Sequence, residues 1–507
     1  MNLRKIKIFF CLILIFGFGK LFAQYEINDI SQDSIVKLEK TIINTSNRIV
    51  LADTYINLAK YYIFFDLQKS ATIIDSVSSI SNQEKYTRGI IESHYLKGEY
   101  EKLIGNLENS KLYYEKGIEL ANLANNDSLL ALGYASYGKM LIDLLHLNYP
   151  YQNLKNGLIL YDKLNNKRGI GLSNLYLGRL MFWFDDTEQA IEYYKKSELN
   201  FKEEKINSLY GLAKIFIGEA FLKSKKTDSS FIYLNSALQI AQQHNIAYIN
   251  YQANRYILSY YFFINDISKA ISHGLKIIEM LKSNQQNYFK GDIYTLIGHG
   301  YQTIDKIDSA LFYNKLALES RKVNGSKAMI ASSFINIGDS YIRLGNYNNA
   351  ITYLDSGIAL SIETGKHMYL SSGYKKLAVC YEKLNNIPKS LIALKNYIKY
   401  KEMLEKEQRI SEMAILESKY QREKFELDSK RLILKDKENS LYISSFIAIL
   451  FVVIALLASL LFIRKRKDHI ALQINQEELN NALELLHESQ EELITLNHEL
   501  EQRVEER

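Results

Sequence analysis

Phe334-Ile-Asn-Ile-Gly-Asp-Ser-Tyr-Ile-Arg-Leu-Gly-Asn-Tyr-Asn-Asn-Ala-Ile-Thr-Tyr-Leu-Asp-Ser-Gly-Ile-Ala-Leu360 reads as two short helices joined by a tight turn. Phe334, Ile337, Gly338 and Tyr341 fall at helical spacing on the first helix, and Ala350, Leu354 and Gly357 line the second. Leu344-Gly345-Asn346 between them is the turn, with glycine where a helix commonly ends. Gly338 recurs outward from this unit in steps of 40 residues. The column reads Leu58, Gly98, Gly138, Gly178, Gly218, Leu258, Gly298, Gly338 and Ala378, six of nine being glycine. Twelve residues after each stand Ser70, Ser110, Pro150, Ala190, Ser230, Ala270, Ala310, Ala350 and Ser390, eight of them small. Three residues after each stand Tyr61, Glu101, Leu141, Met181, Phe221, Tyr261, Tyr301, Tyr341 and Tyr381, eight of them large and apolar or aromatic. Small residues let two helix backbones approach, and large ones fill the adjacent groove, so the pattern predicts nine stacked helix hairpins over residues 51–400.

This frame resembles the tetratricopeptide repeat family, in a form whose period is longer than the common 34 residues. The resemblance implies an all-α, right-handed helix-hairpin solenoid whose first helices line a concave surface able to clamp a protein or peptide. In the frame, the candidate binding residues on that surface are Arg179, Trp183, Glu219, Lys223, Arg255, His299, Asp339 and Arg343. Trp183, the only tryptophan, with Arg179 one turn earlier, suggests an anchor with a polar rim. The plainer reading of each is a solvated charge or a packed ring. The 38 tyrosines read as groove fillers whose hydroxyls reach water or backbone. Residues 24–50, with SQDSIVKLEKTII from Ser31, read as a helix capping the exposed end of the stack.

Composition agrees. The chain has 507 residues, 47% of them hydrophobic, and only two prolines, which leaves long helices uninterrupted. A net charge of +6 without a basic stripe argues against nucleic acid. Residues 1–23 carry Arg4, Lys5 and Lys7, an apolar run and Leu21-Phe22-Ala23, the layout of a cleaved signal peptide. Cleavage leaves Cys380 as the sole cysteine, with no intramolecular disulfide.

After Pro388 neither proline nor glycine occurs, which permits one helix to the end. Over residues 401–440, Met413, Tyr420, Leu427, Leu434 and Leu441 repeat every seven residues. That seam suits pairing with a second copy, or an amphipathic helix lying on the array. Leu441 to Ile463 is 23 residues without a charge, long enough to span a bilayer core, and Arg464-Lys465-Arg466-Lys467 follows as a stop-transfer cluster. The expected topology is a single-pass bacterial inner-membrane protein with periplasmic repeats and a cytoplasmic tail. In that tail, 464–507, Leu472, Leu479, Leu486, Leu493 and Leu500 form a heptad seam facing Gln476, Leu483, Gln490, Asn497 and Val504, as expected of a parallel homodimeric coiled coil.

The order of parts and the end NHELEQRVEER resemble the sensory half and signalling linker of bacterial sensor histidine kinases. The resemblance implies a phosphoacceptor helix and ATP-binding domain beyond the linker. Within these residues His498-Glu499-Leu500 is followed by Glu501-Gln502 rather than Arg-Thr-Pro, so His498 reads as an exposed coiled-coil residue. No metal-ligand cluster or phosphate loop is present, and no cofactor and no enzymatic activity are expected of these residues. The expected function is a membrane-anchored receptor or scaffold signalling through a dimeric helix. The alternatives are a truncated histidine kinase of a two-component system and a structural envelope scaffold.

Overall fold

The computed structural model describes residues 32–143, 150–283, 289–324 and 326–505. The predicted signal peptide, 1–23, and residues 24–31 of the predicted cap lie outside them. Nineteen helices and no strand occur among the described residues. The single helix α1 (Gln32–Asn44) packs Ile35, Leu38 and Ile42 against Ile56 and Ile63 of the first hairpin, α2 (Arg48–Phe65) and α3 (Leu67–Gln83). Hairpins then follow as α4 (Thr87–Ile104) with α5 (Leu107–Leu123), α6 (Asp127–Asp143) with α7 (Pro150–Lys163), α8 (Lys167–Trp183) with α9 (Thr187–Glu203), and α10 (Asn207–Lys223) with α11 (Thr227–Gln243). Next come α12 (Ala247–Phe263) with α13 (Ile267–Ser283), α14 (Lys290–Thr303) with α15 (Ile307–Asn324), and α16 (Lys327–Arg343) with α17 (Tyr347–Glu363). The last is α18 (His367–Lys383) with the start of α19 (Ile387–Glu505).

The chain repeats its conformation twice as often as its sequence. Most described helices have 17 residues, and three residues separate most of them from the next. One of those three takes left-handed φ at Lys85, Gly105, Asn125, Asn165, Asp185, Lys205, Lys225, Asn245, Asn265, Asp305, Gly345, Gly365 and Asn385, all on one 20-residue grid. The following N–H reaches back to close the helix end, as in Asp186 N to Met181 O at 3.0 Å, Lys226 N to Phe221 O at 2.9 Å and Asn346 N to Tyr341 O at 2.9 Å. Turns within and between hairpins are therefore alike, and the 40-residue period comes from side chains alone.

Those side chains mesh as the small-and-large columns predict. A methyl group added at Gly178 would come within 2.5 Å of the Tyr194 ring, and one at Gly338 within 2.7 Å of Leu354. Each partner lies sixteen residues further on. At Leu258 the sizes are exchanged, because the residue sixteen on is Gly274. The aromatic column meets a ring twelve residues later on the second helix: Phe221 with Tyr233, Tyr261 with His273, Tyr301 with Tyr313 and Tyr341 with Tyr353, at 5.4–5.7 Å between centroids.

First helices of successive hairpins touch, α2 with α4, α4 with α6, α6 with α8, α10 with α12 and α16 with α18, whereas successive second helices make no comparable contact. The stack is thus tighter on the first-helix side, which makes that side concave.

The chain divides into two units, 1–423 and 424–507. The predicted boundaries at 400, 440 and 463 all fall inside α19, so no separate transmembrane helix or coiled-coil helix is delimited. Within the second unit Leu441–Ile463 is solvent-exposed throughout, and α19 contains a stretch long and apolar enough to cross a membrane, with mean hydropathy 3.2.

The size exchange at Leu258 and Gly274 sets a test. Gly338→Leu alone should destabilise the array by at least about 1–3 kcal/mol through overpacking, and Leu354→Gly added to it should recover part of that loss. Urea unfolding of both single variants and of the double variant measures it; a double variant no better than the sum of its parts contradicts the meshing.

Candidate ligand-binding surface

One residue after the glycine column, on the concave side, stand Glu99, Lys139, Arg179, Glu219, Ser259, His299 and Asp339, again 40 apart. Stacking brings neighbours in this column together. Arg179 Nη1 lies 2.8 Å from Glu219 Oε2, both side chains being 5% exposed or less. The guanidinium also lies over the Phe216 ring at 4.8 Å. Burial acts against its charge, but Glu219 and Tyr194 outweigh it and hold its pKa above the ordinary arginine value. Arg179 and Glu219 are therefore a closed rung joining two repeats, and not a polar rim presented to solvent. Trp183 is half-buried as the last residue of α8.

A second rung joins α4 and α6. Lys102 Nζ sits 2.6 Å from Glu99 and 3.1 Å from Asp143, while the Tyr114 hydroxyl donates to Glu99 at 3.0 Å. Burial opposes ionisation of Glu99, yet Lys102 and Lys139 bring its pKa down to about 2. For Asp143 burial prevails, and its pKa is raised. Nearer the amino terminus, buried Glu92 accepts from Lys60 at 2.6 Å and from Arg88 at 2.9 Å.

The third cluster contains three of the predicted residues. Asp339 on α16 pairs with Lys376 of α18, accepts from Gln302 of α14, and lies 3.4 Å from Arg343. Burial opposes its charge, but Lys376, Gln302 and Arg343 hold its pKa below the usual carboxylate value. His299 stands beside it, edge-on to Phe262 at 5.7 Å; burial and the Arg343 charge lower its pKa against the pull of Asp339. Arg343 is the most open of the group, with 44% of its side chain exposed.

Lys223 has a different task. Its ammonium donates to Phe182 O at 2.8 Å and pairs with Asp185 at 2.8 Å, neutralising the carboxyl-terminal end of the preceding repeat's α8. Arg255 stands apart from the others, bonded to Gln252 at 3.1 Å and lying 4.9 Å over the Tyr256 ring. Burial would lower its pKa, but the surrounding tyrosines keep it raised. Glu99, Lys102, Lys139, Asp143, Gln302 and Lys376 escaped the sequence reading, although the 40-residue step from Arg179 leads directly to Glu99 and Lys139.

The first unit also includes α19 as far as Glu423. Glu407 pairs with His367, at the start of α18, at 2.7 Å. Fifteen residues on, Arg422 reaches the turn after α8, with Nη1 3.0 Å from Met181 Sδ and 3.8 Å from Asp186. Among the described residues no group of three or more His, Cys, Asp or Glu is placed to hold a metal ion.

Comparison with known proteins agrees with this geometry. The tetratricopeptide repeat profile matches residues 91–122 and 331–361, within the hairpins α4–α5 and α16–α17 and at the same phase of the 40-residue frame. Response regulator aspartate phosphatase E of Bacillus subtilis (strain 168) is 25% identical over 239 residues, which cover 45% of this chain and 61% of that protein. The match thus spans less than two thirds of the relative's length. The apo form of RapI superposes with a TM-score of 0.50 at 12% identity, covering 70% of this chain and 99% of RapI. The apo quorum sensor NprR from B. thuringiensis gives 0.47 at 12% identity, over 75% of this chain and 97% of NprR. The chain carries tetratricopeptide repeats, and its array has the superhelical fold of RapI.

Two outcomes test these assignments. Glu219→Gln strands a buried guanidinium and should cost about 3–5 kcal/mol, whereas Arg179→Met with Glu219→Leu should stay within about 1–2 kcal/mol of the native chain. A single substitution costing less than 1 kcal/mol by urea titration would mean the pair is not a structural rung. His299, with its pKa lowered on folding, takes up its proton more readily in the unfolded chain. Stability should therefore fall as pH drops through about 6.5, and His299→Gln should reduce that fall in the urea midpoint; an unchanged pH profile rules the residue out as a contributor.

Proposed function

We propose that this chain is a membrane-anchored receptor or scaffold whose repeats bind a protein or peptide outside the cytoplasm and whose terminal helix, paired with a second copy, passes the change inward. The observation that carries the reading is α19. It leaves the last hairpin, contains the uncharged, exposed run Leu441–Ile463, and continues through Arg464-Lys465-Arg466-Lys467 into the leucine seam 472–500 without a break. Exposed apolar surface of that length is stable in lipid and a liability in water. Met413, Tyr420, Leu427, Leu434 and Leu441 are likewise 49–69% exposed, so the seven-residue seam is open to a partner helix. The superhelical fold supports binding, because a stack of hairpins curved around its first helices offers an extended surface to a chain segment. The Bacillus relative is, by its name, a response regulator aspartate phosphatase, a name that points to signalling.

Cysteine labelling tests the topology. In intact spheroplasts of cells lacking Cys11, a membrane-impermeant maleimide should modify Asn439→Cys and spare Arg466→Cys until the membrane is opened; Cys380 is buried and should stay silent. Labelling of both sites, or of neither, in intact spheroplasts would refute the single-span reading.

A further inference from the structure

Within the first unit, α19 lies against the array along one narrow face. Its least exposed positions run Leu404, Ser411, Ile415, Ser418 and Arg422, which is one stripe of a helix. Met413 and Tyr420 of the seven-residue seam, 69% and 59% exposed, fall off that stripe. Ser418, a small side chain on this stripe, is 1% exposed. Two cations then fix its position. Lys419 Nζ stands 5.9 Å from the centre of the Phe184 ring, and Arg422, its side chain 15% exposed, reaches Met181 Sδ and the Asp186 carboxylate. Asp186 also accepts from Gln189 N and so caps α9, which holds the carboxylate in place for its second partner. Glu407 with His367 secures the other end. At 1.5 Å per residue, roughly 22 Å of helix joins the ninth hairpin to the fourth.

We propose that segment 404–422 is a built-in occupant of the ligand surface, and that the array's ligand is a helical peptide bearing the same face, a small residue followed by Lys and Arg one turn apart, which displaces it. The inference rests on the receptor reading above and specifies the class of ligand and the regulation. The chemistry favours exchange over permanent closure. The polar contacts include ion pairs at 3.8 Å to Asp186 and 2.7 Å to His367, the approach of Arg422 to Met181 Sδ and one cation beside a ring, and surface pairs and cation–ring contacts of this kind are each worth little alone. Tethering supplies the occupancy, because a segment in the same chain has an effective concentration of about millimolar. A free peptide of the same face competes once it binds more tightly than that. Release frees the face of α19 that the array held, in the same continuous helix that bears the apolar run. The two states differ in what covers Met181, Phe184 and Asp186, which is the differential contact a ligand-driven switch requires.

The experiment uses the full chain in detergent and, as probe, a fluorescein-labelled peptide with the sequence Lys401–Glu423. The native chain should bind it weakly. Arg422→Glu, which sets two carboxylates against each other and disengages the segment, should bind it at least ten-fold more tightly, and adding Asp186→Arg should abolish that gain. A peptide whose arginine at the position of Arg422 is changed to glutamate should not bind the Arg422→Glu chain. Equal affinity of native and Arg422→Glu chains, both shown folded by circular dichroism, overturns the proposal, as does equal binding of both peptides. Failure here is separable from failure of the receptor reading, because the maleimide experiment reads Asn439 and Arg466 alone and is indifferent to what occupies the array.

Discussion

A left-handed backbone residue every twenty positions is the constraint on which the array depends. At the thirteen joints where it occurs among the described residues, it ends the helix and lets the next N–H return to the last turn, so joints within and between hairpins share one geometry there. Curvature then follows from side chains alone. Where a glycine faces a tyrosine or leucine the first and second helices close up, and first helices come near enough to touch their neighbours. A solenoid made this way draws the stability of its hairpins from their nearest neighbours, so each joint matters mainly locally.

Polar rungs add register to that scheme. Apolar meshing would tolerate a slip of one repeat, since every hairpin presents similar grooves. Glu92, Glu99 with Asp143, Glu219 and Asp339 each meet a cation from an adjacent first helix, and each pairing is particular to its place in the stack. Buried pairs contribute little net stability, but a wrong neighbour would leave a charge unmatched. The rung at Arg179 and Glu219 closes that part of the concave surface, while the Arg88 and Arg343 side chains stay 55% and 44% exposed.

The side-chain columns made the hairpins legible, because glycine, small and aromatic residues repeat in identity. The half-period did not show, because Gly, Asn, Asp and Lys all fill the left-handed position and share no pattern except location. Leu258 looked like a broken column until Gly274 was seen to carry the missing space. Arg179 and Glu219 stand on first helices, but charge type does not disclose burial, and only stacking shows that they satisfy each other. The docking face of α19 is hidden for a related reason: its stripe mixes Leu404 and Ile415 with Ser411, Ser418 and Arg422, while the louder seam through Met413 and Tyr420 is exposed.

An array that holds part of its own terminal helix is a mechanical element in which occupancy of a surface and the freedom of a helix are the same variable. Hydrogen exchange of the full chain in lipid nanodiscs addresses this most directly. The account predicts that amides of 411–422 exchange more slowly than those of the exposed helix at 428–438, since docking on the array covers them. Exchange in that segment as fast as in the exposed helix at 428–438 would contradict it, and would leave α19 free of the array.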